Sequence, residues 1–138
     1  WYRYDKEGNM IKDSWFEENG KWYYLESNGT MSKNEWVLAD GNWYFANASG
    51  RIASNEWFIV NGSWYFANTS GRIASNEWFM VNGIWYFANA SGRIAANEWF
   101  MVDGNWYYAE NDGRIAQSKT LNINNVNYTF DSNGVLVK

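Results

Sequence analysis

The sequence predicts an all-β fold, a ββ-solenoid of stacked hairpin repeats, and three observations carry that prediction. First, a period of 21 residues runs through the whole chain without an insertion. All 11 tryptophans fall in two phases of it: Trp15, Trp36, Trp57, Trp78 and Trp99, and Trp1, Trp22, Trp43, Trp64, Trp85 and Trp106. A fixed period of this length is the signature of a repeat architecture, in which each unit buries its apolar surface against its neighbours. Second, an Asn-Gly or Asp-Gly pair recurs in each full repeat, at Asn19-Gly20, Asp40-Gly41, Asn61-Gly62, Asn82-Gly83 and Asp103-Gly104. Such pairs favour a two-residue type I′ hairpin turn, because both positions need φ > 0. Third, the flanks of each turn, such as EWVLA and NWYFA, are rich in aromatic and β-branched residues, and no stripe of helical period exists.

The period divides the chain, read as a single repeat domain, into a partial repeat (1–14), five full repeats (15–35, 36–56, 57–77, 78–98, 99–119) and a degenerate last one (120–138). In that last unit Thr120 and Asn127 stand where the tryptophan pair belongs, and Asn124-Asn125 replaces the Asn-Gly turn. The chain opens on Trp1 in mid-motif, which reads as a piece cut from a longer protein.

The turn fixes the register of each hairpin. With Asp40 and Gly41 at the tip, Ala39 faces Asn42, Leu38 faces Trp43, Val37 faces Tyr44 and Trp36 faces Phe45. Side chains alternate along a strand, so Trp36, Leu38, Trp43 and Phe45 share one face and Val37 and Tyr44 the other. One period on, Trp57, Ile59, Trp64 and Phe66 oppose Phe58 and Tyr65. A lone hairpin is marginal in water, so each must bury at least one face. The Val/Phe-plus-Tyr face is the expected continuous core, and the tryptophan face lies at the joint between repeats. The second punctuation, NASGR or NTSGR, reads as a polar turn leading into a short extended piece such as Arg51-Ile52-Ala53. Its match to a glycosylation sequon is read as turn chemistry.

Composition narrows the chemistry. Aromatics make up 21% of 138 residues, while Pro, Cys and His are absent, so no catalysis runs through His or Cys and no Cys/His zinc site exists. The net charge is −4 and the 11 basic residues are dispersed, which argues against a nucleic-acid footprint. No apolar run approaches the ~20 residues of a membrane-spanning helix. The glutamates Glu35, Glu56, Glu77 and Glu98 lie one period apart in separate hairpins, so they read as solvent-facing rather than as an acid/base pair. Arg51, Arg72, Arg93 and Arg114 are expected to cover apolar surface with their stems. No metal or cofactor is expected. An aromatic-walled joint suits either a quaternary ammonium, held by cation–π attraction, or a sugar ring stacked on Trp; it also suits simple packing between units.

The pattern W-x6-WYY/F-x5-G-x-M/I, repeated throughout the chain, resembles the choline-binding (cell-wall-binding) repeats of streptococci and their phages. Related repeats occur in glucan-binding domains of glucosyltransferases and in clostridial toxins. The resemblance implies a left-handed solenoid with about three hairpins per turn, and choline of teichoic acids bound between consecutive hairpins. It implies sites built from both tryptophans of one repeat and the third aromatic of the next: Trp15, Trp22 and Phe45; Trp36, Trp43 and Phe66; Trp57, Trp64 and Phe87; and Trp78, Trp85 and Tyr108. Trp99 and Trp106 meet Thr129 at that phase, so the last joint is expected to be weak or empty. Trp1 with Tyr24 is a partial site.

Several positions depart from the family pattern. Glutamate (Ser14 in the first full repeat) replaces the usual Gly before the first Trp, Ile replaces most of the Met, and Phe replaces Tyr at three of the sites. The function implied is a non-catalytic module, extracellular on the bacterial wall, anchoring an attached protein such as a peptidoglycan hydrolase. The alternatives are a glucan-binding module or a structural spacer. Homodimerisation is a further family trait. Single sites of this kind bind at millimolar levels, since each cation–π contact contributes ~1–2 kcal/mol. An array gains about 10²-fold through avidity.

Overall fold

The computed structural model describes residues 2–137, and Trp1 lies outside them. Twelve five-residue strands follow one another: β1 (Ser14–Glu18), β2 (Lys21–Leu25), β3 (Glu35–Ala39), β4 (Asn42–Ala46), β5 (Glu56–Val60), β6 (Ser63–Ala67), β7 (Glu77–Val81), β8 (Ile84–Ala88), β9 (Glu98–Val102), β10 (Asn105–Ala109), β11 (Lys119–Ile123) and β12 (Val126–Phe130). They pair as six two-stranded antiparallel sheets, each a hairpin of consecutive strands, and no helix occurs among the described residues. The register is the one the turn dictates: Trp36 faces Phe45, Val37 faces Tyr44 and Leu38 faces Trp43, and the same holds for Trp78 with Phe87 and Met80 with Trp85. Both tip residues have positive φ, for example Asp40 at 51° and Gly41 at 79°, as a type I′ turn requires. At the degenerate tip Asn124 and Asn125 adopt the same region, at 53° and 70°.

Between hairpins the NASGR segment folds back on itself. The Asn47 carboxamide oxygen accepts hydrogen bonds from the Ser49 and Arg51 backbone N–H groups and the Ser49 hydroxyl, an Asx turn that repeats at Asn68 and Asn89. The chain then forms a single bridge to the end of the preceding hairpin, Ala46 to Ile52, Ala67 to Ile73, Ala88 to Ile94 and Ala109 to Ile115. These alanines and isoleucines are almost fully buried. Stacking is set by one further bond per repeat, which reaches back past a whole hairpin. The Ile52 N–H donates to the Trp22 carbonyl at 2.8 Å, and Ile73 to Trp43, Ile94 to Trp64 and Leu136 to Trp106 do likewise at 2.8–2.9 Å.

The described chain divides into two compact units, Trp1–Val60 with Phe66–Ile73, and Asn61–Tyr65 with Ala74–Lys138. In the first, Val37, Ala46 and Ile52 form a buried cluster, against which Trp15, Tyr24 and Tyr44 pack. In the second, Phe87, Ala95, Ala109 and Ile115 are buried, with Trp78, Phe100, Val102 and Tyr107 against them. Within each unit the phenylalanines of successive hairpins stack, Phe45 on Phe58 at 5.0 Å and Phe87 on Phe100 at 4.9 Å between ring centroids. Phe45 and Phe87 are thus buried at the joints between successive hairpins.

The degenerate hairpin β11–β12 carries polar pairs in place of an aromatic face. The hydroxyls of Thr120 and Thr129 lie 2.9 Å apart, and the Asn122 amide donates to Asn127 at 2.9 Å. Polar cross-strand pairs replace Trp and Phe at the phases where other hairpins carry their apolar face.

The glutamates and arginines are not simply solvent-facing or stem-packed. Arg51 grips Glu56 through two hydrogen bonds of 2.8 and 3.2 Å, and Arg93 grips Glu98 through two of 2.9 and 3.2 Å. The Arg51 hydrogen bond holds the Glu56 carboxyl below the usual carboxylate range although burial opposes it. For Glu98 burial pushes upward, but the Arg93 and Ala96 hydrogen bonds win and the net shift is downward. The first linker lacks this clasp because Thr30 occupies the arginine phase. There Glu35 meets Glu26, whose carboxylate accepts from the buried Ser32 hydroxyl at 2.9 Å. Hydrogen bonding to Glu26, burial and the Glu26 charge all raise the Glu35 carboxyl.

The two kinds of linker respond to pH with opposite sign. The lowered carboxyls of Glu56 and Glu98 stabilise the fold above the ordinary glutamate pKa, and that contribution is lost as pH falls through their folded values. The raised Glu35 contributes at low pH, and its contribution is lost as pH rises through its folded value. Glu35→Gln keeps a partner for Glu26 and removes the like-charge repulsion. It is expected to raise the thermal midpoint at pH ~7 and to change it little at pH ~4; an equal or lower midpoint at neutral pH would contradict this account of the first linker.

Candidate functional site

The face opposite the tryptophans carries the residue that completes each joint. Alternation puts Trp15, Glu17, Trp22 and Tyr24 on one face of β1–β2, and Tyr44 on the other face of β3–β4. When the hairpins stack, the first face of one meets the second face of the next. The Trp15 and Tyr44 rings accordingly meet edge-to-face, with centroids 4.7 Å apart and planes at 71°. The same pairing recurs in the second unit between Trp78 and Tyr107, at 4.9 Å and 68°, and between Trp99 and Tyr128, at 4.8 Å and 74°.

The second tryptophan of the repeat makes the outer wall. Trp99 and Trp106 stand 6.4 Å apart with planes at 87°, so the two indoles present perpendicular surfaces. The first tryptophan is wedged into the core while the second is about half exposed: Trp22 at 48% and Trp85 at 37%.

Open clefts result, one in each unit among the described residues being lined by such a ring set. In the first unit a cleft of about 340 Å³ is lined by Trp15, Trp22, Tyr44, Ile52 and the small polar residues Ser54, Thr69 and Ser70 with Gly71. In the second, one of about 330 Å³ is lined by Trp78, Trp85, Tyr107, Ile115, Gln117 and Asn133. These volumes sit at the small end of the range for small-molecule pockets. No Lys, Arg, Asp or Glu is among the linings. Three aromatic surfaces around a cleft with no formal charge attract an organic cation through the ring quadrupoles. The polar lining includes the exposed Thr69, Ser70 and Asn133, and in the second unit the Gln117 amide donates to the Ser132 carbonyl at 3.0 Å.

Gly71 belongs to this construction. At φ +90° it adopts a conformation costly to other residues, and a Cβ there would meet the Tyr44 ring at 3.3 Å and the Ala53 carbonyl at 3.4 Å. Gly41, at φ +79° on a hairpin tip, would meet nothing within 4 Å. The left-handed backbone alone costs an alanine about 1–2 kcal/mol at either site. Gly71→Ala is expected to lose more stability than Gly41→Ala in urea unfolding, because the Tyr44 ring is displaced as well. Equal losses would show that Gly71 does not support the cleft.

The expected site residues are distributed as follows. Trp15 and Trp22 share the first cleft, and Trp78 and Trp85 the second. Phe45, named as the third aromatic, is buried against Phe58 and its own hairpin partner Trp36; its neighbour Tyr44 takes the cleft wall. Tyr108 likewise packs on Trp99 of its own hairpin at 5.1 Å, while Tyr107 lines the cleft. Phe66 is buried beside Trp57 at 4.9 Å, and Phe87 beside Trp78 and Phe100.

Trp36 packs on Phe45 and Phe58, Trp43 and Trp64 are about half exposed, and Trp57 lies in the first unit whereas Trp64 and Phe87 lie in the second. Tyr24 packs on Trp15 at 4.9 Å; its expected partner Trp1 lies outside the described residues. At the last joint Thr129 is turned to Thr120, Tyr128 stands beside Trp99, and the Phe130 ring lies 5.7 Å from Trp99. The usable signal was the register itself. A joint takes one face from each of two hairpins, and only the middle aromatic of each WYF or WYY triplet lies on the far face.

Models of known families match most of the chain. A choline-binding repeat matches residues 9–51, and a putative cell wall binding repeat matches residues 55–73, 76–94 and 97–115. The chain belongs to the choline-binding repeat family.

Solved structures agree with this assignment. Choline binding protein F from Streptococcus pneumoniae shares 34% identity with a TM-score of 0.84, covering 100% of this chain and 44% of its own. It has also been solved in complex with ipratropium, and in the presence of a peptidoglycan analogue. The modular Cpl-1 endolysin, complexed with a peptidoglycan analogue, shares 27% identity with a TM-score of 0.63, covering 97% of this chain and 40% of its own. The modular autolysin LytC from Streptococcus pneumoniae, at 24% identity and a TM-score of 0.70 over 99% of this chain and 36% of its own, shares the fold. The chain therefore spans less than half the length of these proteins. No curated protein sequence matches it. No helix among the described residues is long and apolar enough to cross a membrane.

Proposed function

We propose that this choline-binding repeat module holds choline residues of wall teichoic acid in its aromatic clefts and so anchors an attached protein to the bacterial surface. The observation that carries the reading is the recurrent three-ring cleft. Trp15, Trp22 and Tyr44 in one unit and Trp78, Trp85 and Tyr107 in the other bound uncharged clefts of matching size. Trp99, Trp106 and Tyr128 repeat the same ring arrangement. A trimethylammonium group is a compact cation with no N–H to donate, so ring faces, rather than hydrogen bonds or carboxylates, are its natural partners. Ipratropium, with which choline binding protein F was solved, also carries a quaternary nitrogen.

Mechanically the module needs no moving part. Each cleft preorganises its rings through core packing of the first Trp and the backbone clasp on the second, so little side-chain entropy is lost on binding. One site remains weak, of millimolar order. Several on one chain facing a polymer of repeated choline bind far more tightly. The chain is expected to be retained on a tertiary-amine resin and released by free choline. Passage through that resin without retention, with retention on dextran instead, would overturn the choline reading in favour of glucan.

A further inference from the structure

Each tryptophan face carries one more side chain, two residues after the first Trp and directly across from the second. The register pairs Glu17 with Trp22, Leu38 with Trp43, Met80 with Trp85 and Met101 with Trp106. Facing residues on an antiparallel pair have Cβ atoms about 4.5–5.5 Å apart and point to the same side. Leu38, Met80 and Met101 are half exposed, at 55%, 50% and 51%, each beside a Trp that is itself partly exposed. Each such side chain and its facing indole together present an exposed apolar edge beside the cleft. Glu17 is exposed as well, and no salt bridge engages it among the described residues.

We propose that this lip position sets what each cleft selects: Glu17 makes the Trp15–Trp22–Tyr44 cleft discriminate for positive charge, whereas Met80 makes the Trp78–Trp85–Tyr107 cleft favour apolar substituents on the ligand. The proposal rests on the organic-cation reading above. Ring faces attract a cation, but they also take up a neutral apolar group of the same shape, so the rings alone discriminate weakly for charge. A carboxylate at the rim of a partly dehydrated cleft adds Coulomb attraction that only the cation feels, and salt weakens it. A methionine at the same place adds polarisable apolar surface and adapts to bulk. The clefts then differ by sequence position although their rings are the same. The module reads a mixed set of organic cations with different weights at different joints.

Three ligands separate these effects: choline, its neutral isostere with carbon in place of the quaternary nitrogen, and choline with one N-methyl exchanged for benzyl. Binding to the intact chain is followed through the indole N–H resonances of Trp22 and Trp85, assigned by single Trp→Phe variants, so each cleft reports its own dissociation constant. The preference for choline over the neutral isostere is expected to be about 3–10-fold greater at Trp22 than at Trp85 in low salt, and the difference to shrink in high salt. Glu17→Gln and Glu17→Leu should both bring Trp22 to the Trp85 value, and Met80→Glu should transfer the charge preference to Trp85. The benzyl analogue should favour Trp85 over Trp22.

Equal charge preference at the two clefts in the unaltered chain, or a Trp22 preference unmoved by either Glu17 variant, overturns the proposal while leaving choline binding intact. Failure of choline to shift any indole resonance overturns the organic-cation reading together with it.

Discussion

Trp22→Leu is expected to weaken choline binding at the first cleft about 5–30-fold while the chain stays folded. Trp22 is 48% exposed, and leucine retains much of the apolar contact on its buried side. The clasp that positions this strand is the Trp22 backbone carbonyl accepting from Ile52, which a side-chain change leaves in place. What disappears is one of three π-faces, and a desolvated cation–π contact contributes ~1–2 kcal/mol. With tenfold in affinity per ~1.4 kcal/mol, that loss weakens a millimolar interaction to about 5–30 mM. Tyr44→Leu should act alike at the same cleft, since the Tyr44 ring closes the side facing Trp15 at 4.7 Å. Site-resolved titration with choline checks both, alongside a thermal melt. Unchanged binding in either variant would remove that ring from the site.

Phe45→Ala is expected to do the reverse. Phe45 adjoins Tyr44 in sequence, yet it is 9% exposed, stacked on Phe58 at 5.0 Å and edge-to-face with Trp36. Truncating a buried phenylalanine costs about 3–5 kcal/mol, a large share of the total stability of a domain this size. The first unit should unfold at much lower urea concentration. Under conditions where it remains folded, choline affinity at the Trp15–Trp22–Tyr44 cleft should fall far less than in Tyr44→Leu. The pair of neighbours thus separates the cleft ring from the core ring. If Phe45→Ala instead abolished binding with little loss of stability, the roles argued for these two positions would be exchanged.

Much of the fold was legible in the sequence because its signals are local. An Asp-Gly tip fixes a two-residue turn, the turn fixes register, and register assigns every side chain to a face; Trp36 opposite Phe45 and Leu38 opposite Trp43 follow without any tertiary information. Assigning a joint needs one more fact, namely which face of the next hairpin arrives there. Counting aromatics on the tryptophan face made Phe45 the third ring, whereas stacking brings Tyr44 from the opposite face. The same step accounts for the last joint, where Thr129 looked like a missing ring and Tyr128 fills the place.

The arginine–glutamate clasps were hidden for a different reason. Arg51 and Glu56 lie five residues apart on either side of a bend, and no strand or helix periodicity relates them. Their absence at Glu26 and Glu35 becomes meaningful only once the linker geometry is known.

The central claim is that a quaternary ammonium sits between the two tryptophans of one repeat and the middle aromatic of the next. A crystal structure of the chain grown in saturating choline tests it most directly. The account predicts trimethylammonium density enclosed by Trp15, Trp22 and Tyr44, and again by Trp78, Trp85 and Tyr107. Both clefts empty at saturation, or choline seated away from these rings, would contradict it.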